Sequence, residues 1–299
     1  MVNRRNFLRN SALLSLAASL PVPSRAAGPG PMMKRNLPGT DESLAVIGLG
    51  NARPFAAGDL EVSRQLLDLL MERGGGYVDT SGPARFTVGQ VMAERDAHEQ
   101  LFLGTYIDVA ELAAMRDEIR AVQEGQGGGA LDLVITRSPK AMLEHGDALL
   151  RLREDGLTRH IGVGRHNKRF FPDIMKLMNE GIVDLIQINY SMLEPESAEE
   201  ILPLAMEKNV AVITNRAFVN GDYFRIVKGQ QLPDWAAEFD CESWAQFSLK
   251  YVLSHPAVNC ALTETSNPRH AVDNFAAGYG RLPDKDMRAR MLAHMRGLA

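Results

Sequence analysis

The sequence has little cysteine, little net charge and no long apolar run. Its 299 residues include only Cys241 and Cys260, too few for a disulfide framework and insufficient alone for a zinc site. The net charge is −4, so no general basic field attracts nucleic acid. No apolar stretch reaches the roughly 18 residues of a membrane span. We therefore expect no nucleic-acid partner and no stable membrane anchor.

What is present is the composition of a globular protein. Hydrophobic residues make up 45% and charged residues 23% of the chain, which is typical of a protein with a packed core. This composition excludes a disordered chain and a coiled coil. The length allows one large domain or two of average size.

The N-terminal residues have the pattern of an export signal. Asn3–Arg9 reads NRRNFLR, a short apolar run covers Ser11–Leu20, and small residues stand at Ala26 and Ala27. Adjacent arginines followed closely by Phe-Leu resemble the twin-arginine (Tat) signal. We interpret residues 1–27 as a twin-arginine signal peptide, which implies the Tat export machinery as a partner and a periplasmic location. A disordered basic tail and an uncleaved anchor are the alternatives.

The remainder alternates between two patterns. Residues 28–43 are rich in Gly, Pro and polar side chains and are interpreted as a linker. After them, short apolar and β-branched runs alternate with segments of helical periodicity. The runs that predict strands are Leu44–Gly48, Tyr77–Asp79, Leu101–Thr105, Leu131–Ile135, His160–Val163, Leu185–Ile188, Val210–Thr214 and Val258–Leu262.

Eight strands, each followed by a helix, predict a (β/α)8 TIM barrel, an α/β fold, as a single domain over residues 44–299. A doubly wound parallel sheet is the alternative, although it seldom needs eight evenly spaced units. In a TIM barrel the functional side chains lie at the C-terminal ends of the strands and in the loops that follow. The candidate residues are therefore those at the strand ends.

The motifs at these positions resemble the aldo-keto reductase family of NADP-dependent oxidoreductases. They stand in the family's order along residues 44–278, and each one alone is weak. The segments that carry the resemblance are Gly76–Ser81 (GYVDTS), Gly156–Gly164 (GLTRHIGVG), Val183–Ser191 (VDLIQINYS), Leu253–Val258 (LSHPAV) and Thr265–His270 (TSNPRH), with Asp273 and Asn274 after them.

The resemblance implies a catalytic tetrad of Asp, Tyr, Lys and His, in which the Tyr donates a proton while a cofactor delivers a hydride. Asp79 matches the family's Asp. The other three positions differ, because Ala84 stands at the Tyr position, Tyr106 at the Lys position and Arg137 at the His position. Only the Asp of the tetrad is kept.

The replacements suggest a rearranged site. Ala84 cannot donate a proton, but Tyr106 can, and a neighbouring Arg137 is expected to lower its pKa by favouring the phenolate. A buried Asp79 needs a cation, for which Arg137 or Arg85 could serve. We hypothesise that Asp79, Tyr106 and Arg137 form a polar cluster that is either a relocated acid or a site for an anionic ligand. The alternative is that these groups only satisfy one another.

A nicotinamide cofactor, NADP or NAD, is implied by the same resemblance. Gln187 matches the residue that holds the nicotinamide amide. Asn215 lies in the segment where the family usually has a Tyr that stacks under the nicotinamide, so it must act without that ring. Arg216 could bind a pyrophosphate. In the last unit, Thr265 and Ser266 precede a helix whose N-terminal N–H groups suit a phosphate. His270 and Asn274 match positions that contact the adenosine phosphate and the adenine. Glu264 is a contrary sign, because its carboxylate would repel a 2′-phosphate.

The expectation is an exported oxidoreductase that acts on a small-molecule substrate through an altered site. One alternative is a catalytically silent barrel that binds a nucleotide or another ligand. Another is an isomerase or lyase that uses Asp79 and Tyr106. The substrate and the oligomeric state leave no pattern in the sequence.

Overall fold

The computed structural model describes residues 31–109, 111–126 and 128–298. The predicted signal peptide, residues 1–27, lies outside them. Eight parallel strands form a closed barrel: β3 (Ile47–Leu49), β4 (Gly76–Thr80), β5 (Leu101–Tyr106), β6 (Leu131–Thr136), β7 (Thr158–Gly164), β8 (Leu185–Asn189), β9 (Ala211–Asn215) and β10 (Cys260–Thr263). Each strand pairs with the next along the chain, and β10 closes the barrel against β3.

Helices surround the barrel, as the alternating pattern predicts. They are α1 (Arg53–Ala57), α2 (Leu60–Met71), α3 (Ala84–Arg95), α4 (Leu112–Gly125), α5 (Pro139–Glu144), α6 (Gly146–Glu154), α7 (Phe171–Asn179), α8 (Ile201–Lys208), α9 (Asp222–Ile226), α10 (Trp244–Leu253), α11 (Pro268–Ala276) and α12 (Lys285–Leu298). Side-chain caps fix several N-termini, since the carboxylate of Asp59 accepts from the Val62 amide and Ser243 accepts from Gln246. The predicted (β/α)8 barrel is confirmed.

The range predicted as a linker, residues 28–43, overlaps a β-hairpin. Strands β1 (Lys34–Asn36) and β2 (Ser43–Ala45) pair antiparallel. The Arg35 guanidinium donates to the carbonyls of Leu253, His255 and Val258, which follow or end α10. Leu37 and Leu44 pack with apolar side chains of the barrel interior. The hairpin therefore covers the end of the barrel at which the strands begin.

Two separate apolar cores hold the fold together. The larger one lies between the strands and the helices. The smaller one fills the barrel and consists of Leu37, Leu44, Tyr77, Phe102, Tyr106, Leu133, Ile135, Leu185, Ala211, Ile213, Cys260 and Leu262. Cys241 and Cys260 are both buried free thiols, one in each core.

Glycines make room for two tyrosines inside the barrel. A Cβ at Gly104 would lie 1.7 Å from the Tyr77 hydroxyl oxygen, and one at Gly164 would lie 2.3 Å from that of Tyr106. Both distances are far below van der Waals contact, so neither position accepts a larger residue without rearrangement. The two tyrosines thus take the space that side chains at positions 104 and 164 would fill.

Among the described residues, no helix has the length and apolar character needed to cross a bilayer.

Removing the Arg35 side chain should destabilise the barrel although it lies far from the strand ends. Arg35→Ala leaves three carbonyls near the end of α10 without their charged donor, and we expect a loss of about 2 kcal/mol in the free energy of unfolding. Urea denaturation followed by circular dichroism measures this loss. An unchanged midpoint would show that the hairpin contributes nothing to the stability of the barrel.

Candidate active site

Along the barrel strands, the side chains that point inward change from apolar in the interior to polar at the open end. Successive residues of a strand point to opposite faces, so every second residue points into the barrel. On β8 the inward series runs from Leu185 through Gln187 to Asn189, and on β4 it runs from Tyr77 to Asp79. The polar residues therefore share the upper layer of the barrel because of their register.

The three residues of the predicted polar cluster rise in steps along neighbouring strands. Asp79 pairs in register with Gly104 on β5, and Tyr106 lies two residues further along that strand. Tyr106 in turn pairs with Ile135 on β6, and Arg137 lies two residues beyond it. All three line one cavity of about 620 Å³. The register thus brings the predicted cluster together.

A chain of two hydrogen bonds fixes the floor of this cavity. The Tyr77 hydroxyl donates to Oε1 of Gln187 over 3.3 Å, and Nε2 of Gln187 donates to Oδ2 of Asp79 over 2.9 Å. Both bonds are buried, and Tyr77 is fully covered. The second carboxyl oxygen of Asp79, Oδ1, is buried and has no partner among the described residues. One oxygen of Asp79 is therefore held in place and the other is left for a ligand or a proton.

Burial makes Asp79 a weaker acid than an ordinary carboxyl group. Its residue is only 6% exposed, and burial raises its pKa to about 7, against the opposing effects of the Gln187 hydrogen bond and of Arg137. Glu264 adds a small repulsion in the same direction as burial. Near neutral pH Asp79 therefore exists in both protonation states.

The expected lowering of the Tyr106 pKa is wrong. The Arg137 guanidinium carbon lies 3.7 Å from the centre of the Tyr106 ring, so the cation covers the face of the ring. Burial raises the pKa of Tyr106 well above its usual value, and the nearby Asp79 adds to this, while Arg137 and Arg165 oppose it without prevailing. Tyr106 therefore keeps its proton near neutral pH, and its hydroxyl group can serve as a hydrogen-bond donor.

Neither arginine considered as a partner for Asp79 forms an ion pair with it. Arg85 donates to Glu118 over 3.0 Å on the outer helices, and Arg137 has no carboxylate within 4.0 Å in the described part of the chain. Gln187 takes the place of a cation, because a neutral donor suffices for a carboxyl group that is partly protonated. Ala84 begins α3 and is fully buried in the outer core.

Polar residues outside the predicted set also line the cavity, three of them directly after barrel strands. They are Asn51, which follows β3 and donates from Nδ2 to the Ser81 hydroxyl, and Arg165 and His166, which follow β7. Their place directly after a barrel strand is a signal that the sequence does contain. Among the described residues, no group of three or more His, Cys, Asp and Glu side chains is arranged to hold a metal ion.

The loop after β9 forms one wall of the cavity in a strained conformation. Arg216, Val219 and Asn220 have φ of 61°, 45° and 54°, the left-handed region that a β-branched residue such as Val219 rarely enters. Nε and one terminal nitrogen of Arg216 donate to the two carboxylate oxygens of Glu194, over 3.0 and 2.7 Å. Arg216, predicted to bind a pyrophosphate, is thus engaged by a carboxylate and holds the loop.

A second cavity of about 430 Å³ adjoins the first, and three residues line both: Phe218, Phe224 and Glu264. Of the predicted residues, Gln187 and Asn215 line the first cavity with Arg216, and Thr265, His270 and Asn274 line the second. Ser266 lines neither. The two cavities together form a cleft that runs from Asp79 to the N-terminus of α11.

Solved aldo-keto reductases share this architecture at low sequence identity. The holo form of an aldo-keto reductase from Bacillus halodurans is 19% identical, with a TM-score of 0.71 over 90% of this chain and 96% of its own. An aldo-keto reductase from Klebsiella pneumoniae in complex with NADPH is 20% identical, with a TM-score of 0.71 over 89% and 95%. A glycerol dehydrogenase from Gluconobacter oxydans is 18% identical, with a TM-score of 0.69 over 88% and 94%.

At these identities the solved structures establish the fold alone, and no curated protein sequence matches the chain. Residues 46–291, which include all eight barrel strands, match the aldo/keto reductase family. The chain therefore belongs to the aldo/keto reductase family.

Proposed function

We propose that the protein is an exported oxidoreductase that reduces the carbonyl group of a small molecule with a nicotinamide nucleotide, through an altered active site in which Asp79 is the proton donor. The observation that carries this proposal is the Asp79 carboxyl group. It is buried at the floor of the larger cavity, tied by one oxygen to Gln187 and unpartnered at the other. Of the tetrad that the family resemblance implies, it is also the one residue kept.

The side chains along the cleft suit a nicotinamide nucleotide at several points. Oδ1 of Asn215 is buried and has no partner among the described residues, so it can accept from the carboxamide. Gln187 has a second amide N–H that Asp79 does not use. At the far end, Thr265 and the start of α11 offer donors to a phosphate.

Two features of the cleft bear on how a nucleotide would be bound. Arg216 is engaged by Glu194, so it does not stand free for a pyrophosphate. Glu264 lies where the two cavities meet, and its carboxylate disfavours the additional phosphate of NADP. The relatives solved with NADPH or NADP favour that nucleotide for the family. NADP and NAD therefore both stay candidates, and their relative affinity distinguishes them.

In this proposal the nucleotide supplies a hydride to the carbonyl carbon, and the protein supplies the proton. The Tyr106 hydroxyl, which keeps its own proton, donates a hydrogen bond that orients the carbonyl oxygen. The Asp79 carboxyl group transfers its proton to that oxygen as the alkoxide develops, and it is left as a carboxylate that takes a new proton from solvent. A carboxyl group with a pKa of about 7 suits this role near neutral pH.

Export of the protein is proposed from the sequence of residues 1–27. The pair Arg4-Arg5 followed by Phe7-Leu8 is the feature that supports the Tat pathway. A nucleotide-binding barrel is consistent with that route, because Tat substrates cross the membrane already folded and with their cofactor.

Asp79→Asn should abolish the proton-donating step while leaving the amide hydrogen bond to Gln187 possible. We expect kcat to fall by about 10²–10⁴-fold in the reduction of a small aldehyde. For the unsubstituted protein, kcat/KM should fall as the pH rises through about 7, since only protonated Asp79 is active. Steady-state kinetics from pH 5 to 9 measure both effects.

Tyr106→Phe is the matched variant, because it removes a hydroxyl but leaves Asp79 in place. It should reduce kcat/KM by about 10–100-fold and keep the midpoint near pH 7. A midpoint that disappears in Tyr106→Phe and persists in Asp79→Asn would make Tyr106 the acid instead.

The free energy of unfolding gives an independent check on the raised pKa of Asp79. A buried carboxyl group with a raised pKa destabilises the fold as the pH rises from about 4 to about 8. Over that range the free energy of unfolding of Asp79→Asn should therefore increase by up to roughly 4 kcal/mol relative to that of the unsubstituted protein.

Glu264→Gln should raise the affinity for NADPH without changing that for NADH. Removing the carboxylate removes its repulsion of a 2′-phosphate, and we expect about a 3- to 10-fold gain for NADPH alone. Quenching of tryptophan fluorescence measures both affinities, since Trp244 lines the second cavity. Equal effects on the two nucleotides would place Glu264 away from the 2′ position, and no binding of either would favour a barrel that serves another ligand.

Replacing Arg4 and Arg5 together by Lys should stop export. The charge is preserved, but the receptor of the Tat pathway reads the paired arginines. Cell fractionation should find the unsubstituted protein in the periplasm and the Lys-Lys variant in the cytoplasm. Equal periplasmic amounts of both would contradict Tat export.

A further inference from the structure

Arg137 presents its donors to the larger cavity without a carboxylate partner. Its guanidinium lies flat on the Tyr106 ring, which shields one face of the cation and leaves its edges open. No Asp or Glu oxygen in the described ranges lies within 4.0 Å of it. The side chain is also more exposed than Tyr106 or Asp79, so its donors face the entrance of the cavity.

Arg165 on the next strand end has the same arrangement. Its guanidinium carbon lies 4.2 Å from the centre of the Phe170 ring, and its Nε is buried without a hydrogen-bond partner in the described structure. The backbone N–H of Arg165 donates to the Gln187 carbonyl, which fixes the residue to β8. Burial lowers the pKa of Arg165, and the nearby cations of Arg137 and Arg169 lower it further.

Other arginines of the protein are paired with carboxylates, unlike Arg137 and Arg165. Arg216 donates two hydrogen bonds from one edge of its guanidinium to Glu194, and Arg64 does the same to Glu94 and Arg95 to Asp68. Arg137 and Arg165 have aromatic rings in place of carboxylates. Arg137 and Arg165 are neighbouring cations that line the same cavity and stack on aromatic rings, an arrangement that suits one oxyanion.

We propose that Arg137 and Arg165 bind the carboxylate of the substrate, so that the protein acts on short carbonyl compounds that also carry a carboxylate group. The inference rests on the proposed function, because it assumes that a carbonyl group lies at Asp79 and Tyr106. The guanidinium of Arg137 stacks directly on the Tyr106 ring, so the carboxylate and the carbonyl group are separated by only a few carbon atoms.

The arginine pair also provides selectivity against neutral carbonyl compounds. A guanidinium fork matches the two oxygens of a carboxylate, and the resulting charge-assisted bonds are stronger than those between neutral groups. A neutral substrate leaves both cations without a counter-ion. Selection for an acid therefore follows from the side chains on one side of the cavity.

The test compares 4-oxobutanoate with its methyl ester, two aldehydes that differ in one charge. Calorimetric titration without nucleotide measures binding and needs no turnover. The unsubstituted protein should bind the acid about tenfold more tightly or better, and added salt should weaken only the acid. Arg137→Gln and Arg165→Gln should each reduce this preference, and the double variant should remove it while its affinity for the ester stays within about twofold.

Arg64→Gln is the matched control, because it makes the same change on the outer surface of α2 and should leave both affinities unaltered. Arg137→Lys and Arg165→Lys keep the charge without the fork and should retain part of the preference, which guards against a double variant that fails to fold. Equal binding of acid and ester by the unsubstituted protein overturns the inference. So does a double variant that is folded and keeps the preference.

Two outcomes separate this inference from the proposed function. If the arginine variants weaken NADH binding and leave the preference for the acid intact, the pair belongs to the nucleotide and the inference is wrong. If the acid is preferred through both arginines but is not reduced in the presence of either nucleotide, the anion site stands and the proposed reaction fails.

Discussion

The candidate site depends on the two hydrogen bonds of the buried side-chain amide of Gln187. It accepts from the Tyr77 hydroxyl and donates to Asp79, and so it joins the apolar interior of the barrel to the polar layer above it. A cation in its place would have kept Asp79 ionised. A neutral donor leaves burial as the dominant effect, and burial raises the pKa of the carboxyl group to about 7. The acid–base character of the site thus comes from the absence of a charged partner.

Space inside the barrel sets a second constraint on the same layer. Tyr77 can reach Gln187 only because position 104 has no side chain, and Tyr106 occupies the volume in front of Gly164. The Tyr106 ring in turn supports part of the cavity wall, because Arg137 stacks on it. The Glu194–Arg216 pair holds the loop after β9, in which Arg216, Val219 and Asn220 have positive φ. Glycine positions, stacked cations and one ion pair together define the cavity.

The sequence predicts the fold and the location of the site better than it predicts the chemistry of the site. Short apolar and β-branched runs separated by helical segments predict the eight barrel strands, and strand-end positions place Asp79, Tyr106 and Arg137 on one cavity. Partners across the barrel are harder to predict, because they depend on distances between strands far apart in the chain. Gln187 therefore takes the place expected of a cation beside Asp79, and Glu194, which lies in a loop beyond β8, engages the arginine expected to bind a pyrophosphate. The hairpin at residues 34–45 was hidden for a similar reason, since its polar composition is that of a linker and its contacts lie near residues 253–259.

The complete burial of Ala84 bears on how this protein can change over evolutionary time. The residue sits at the start of α3 among packed side chains of the outer core, at the position where the family resemblance implies a tyrosine. Placing a large ring there would require neighbouring helices and strands to move, which commonly costs about 1–3 kcal/mol or more. A tyrosine could therefore be accommodated at this position only together with compensating changes in the surrounding core.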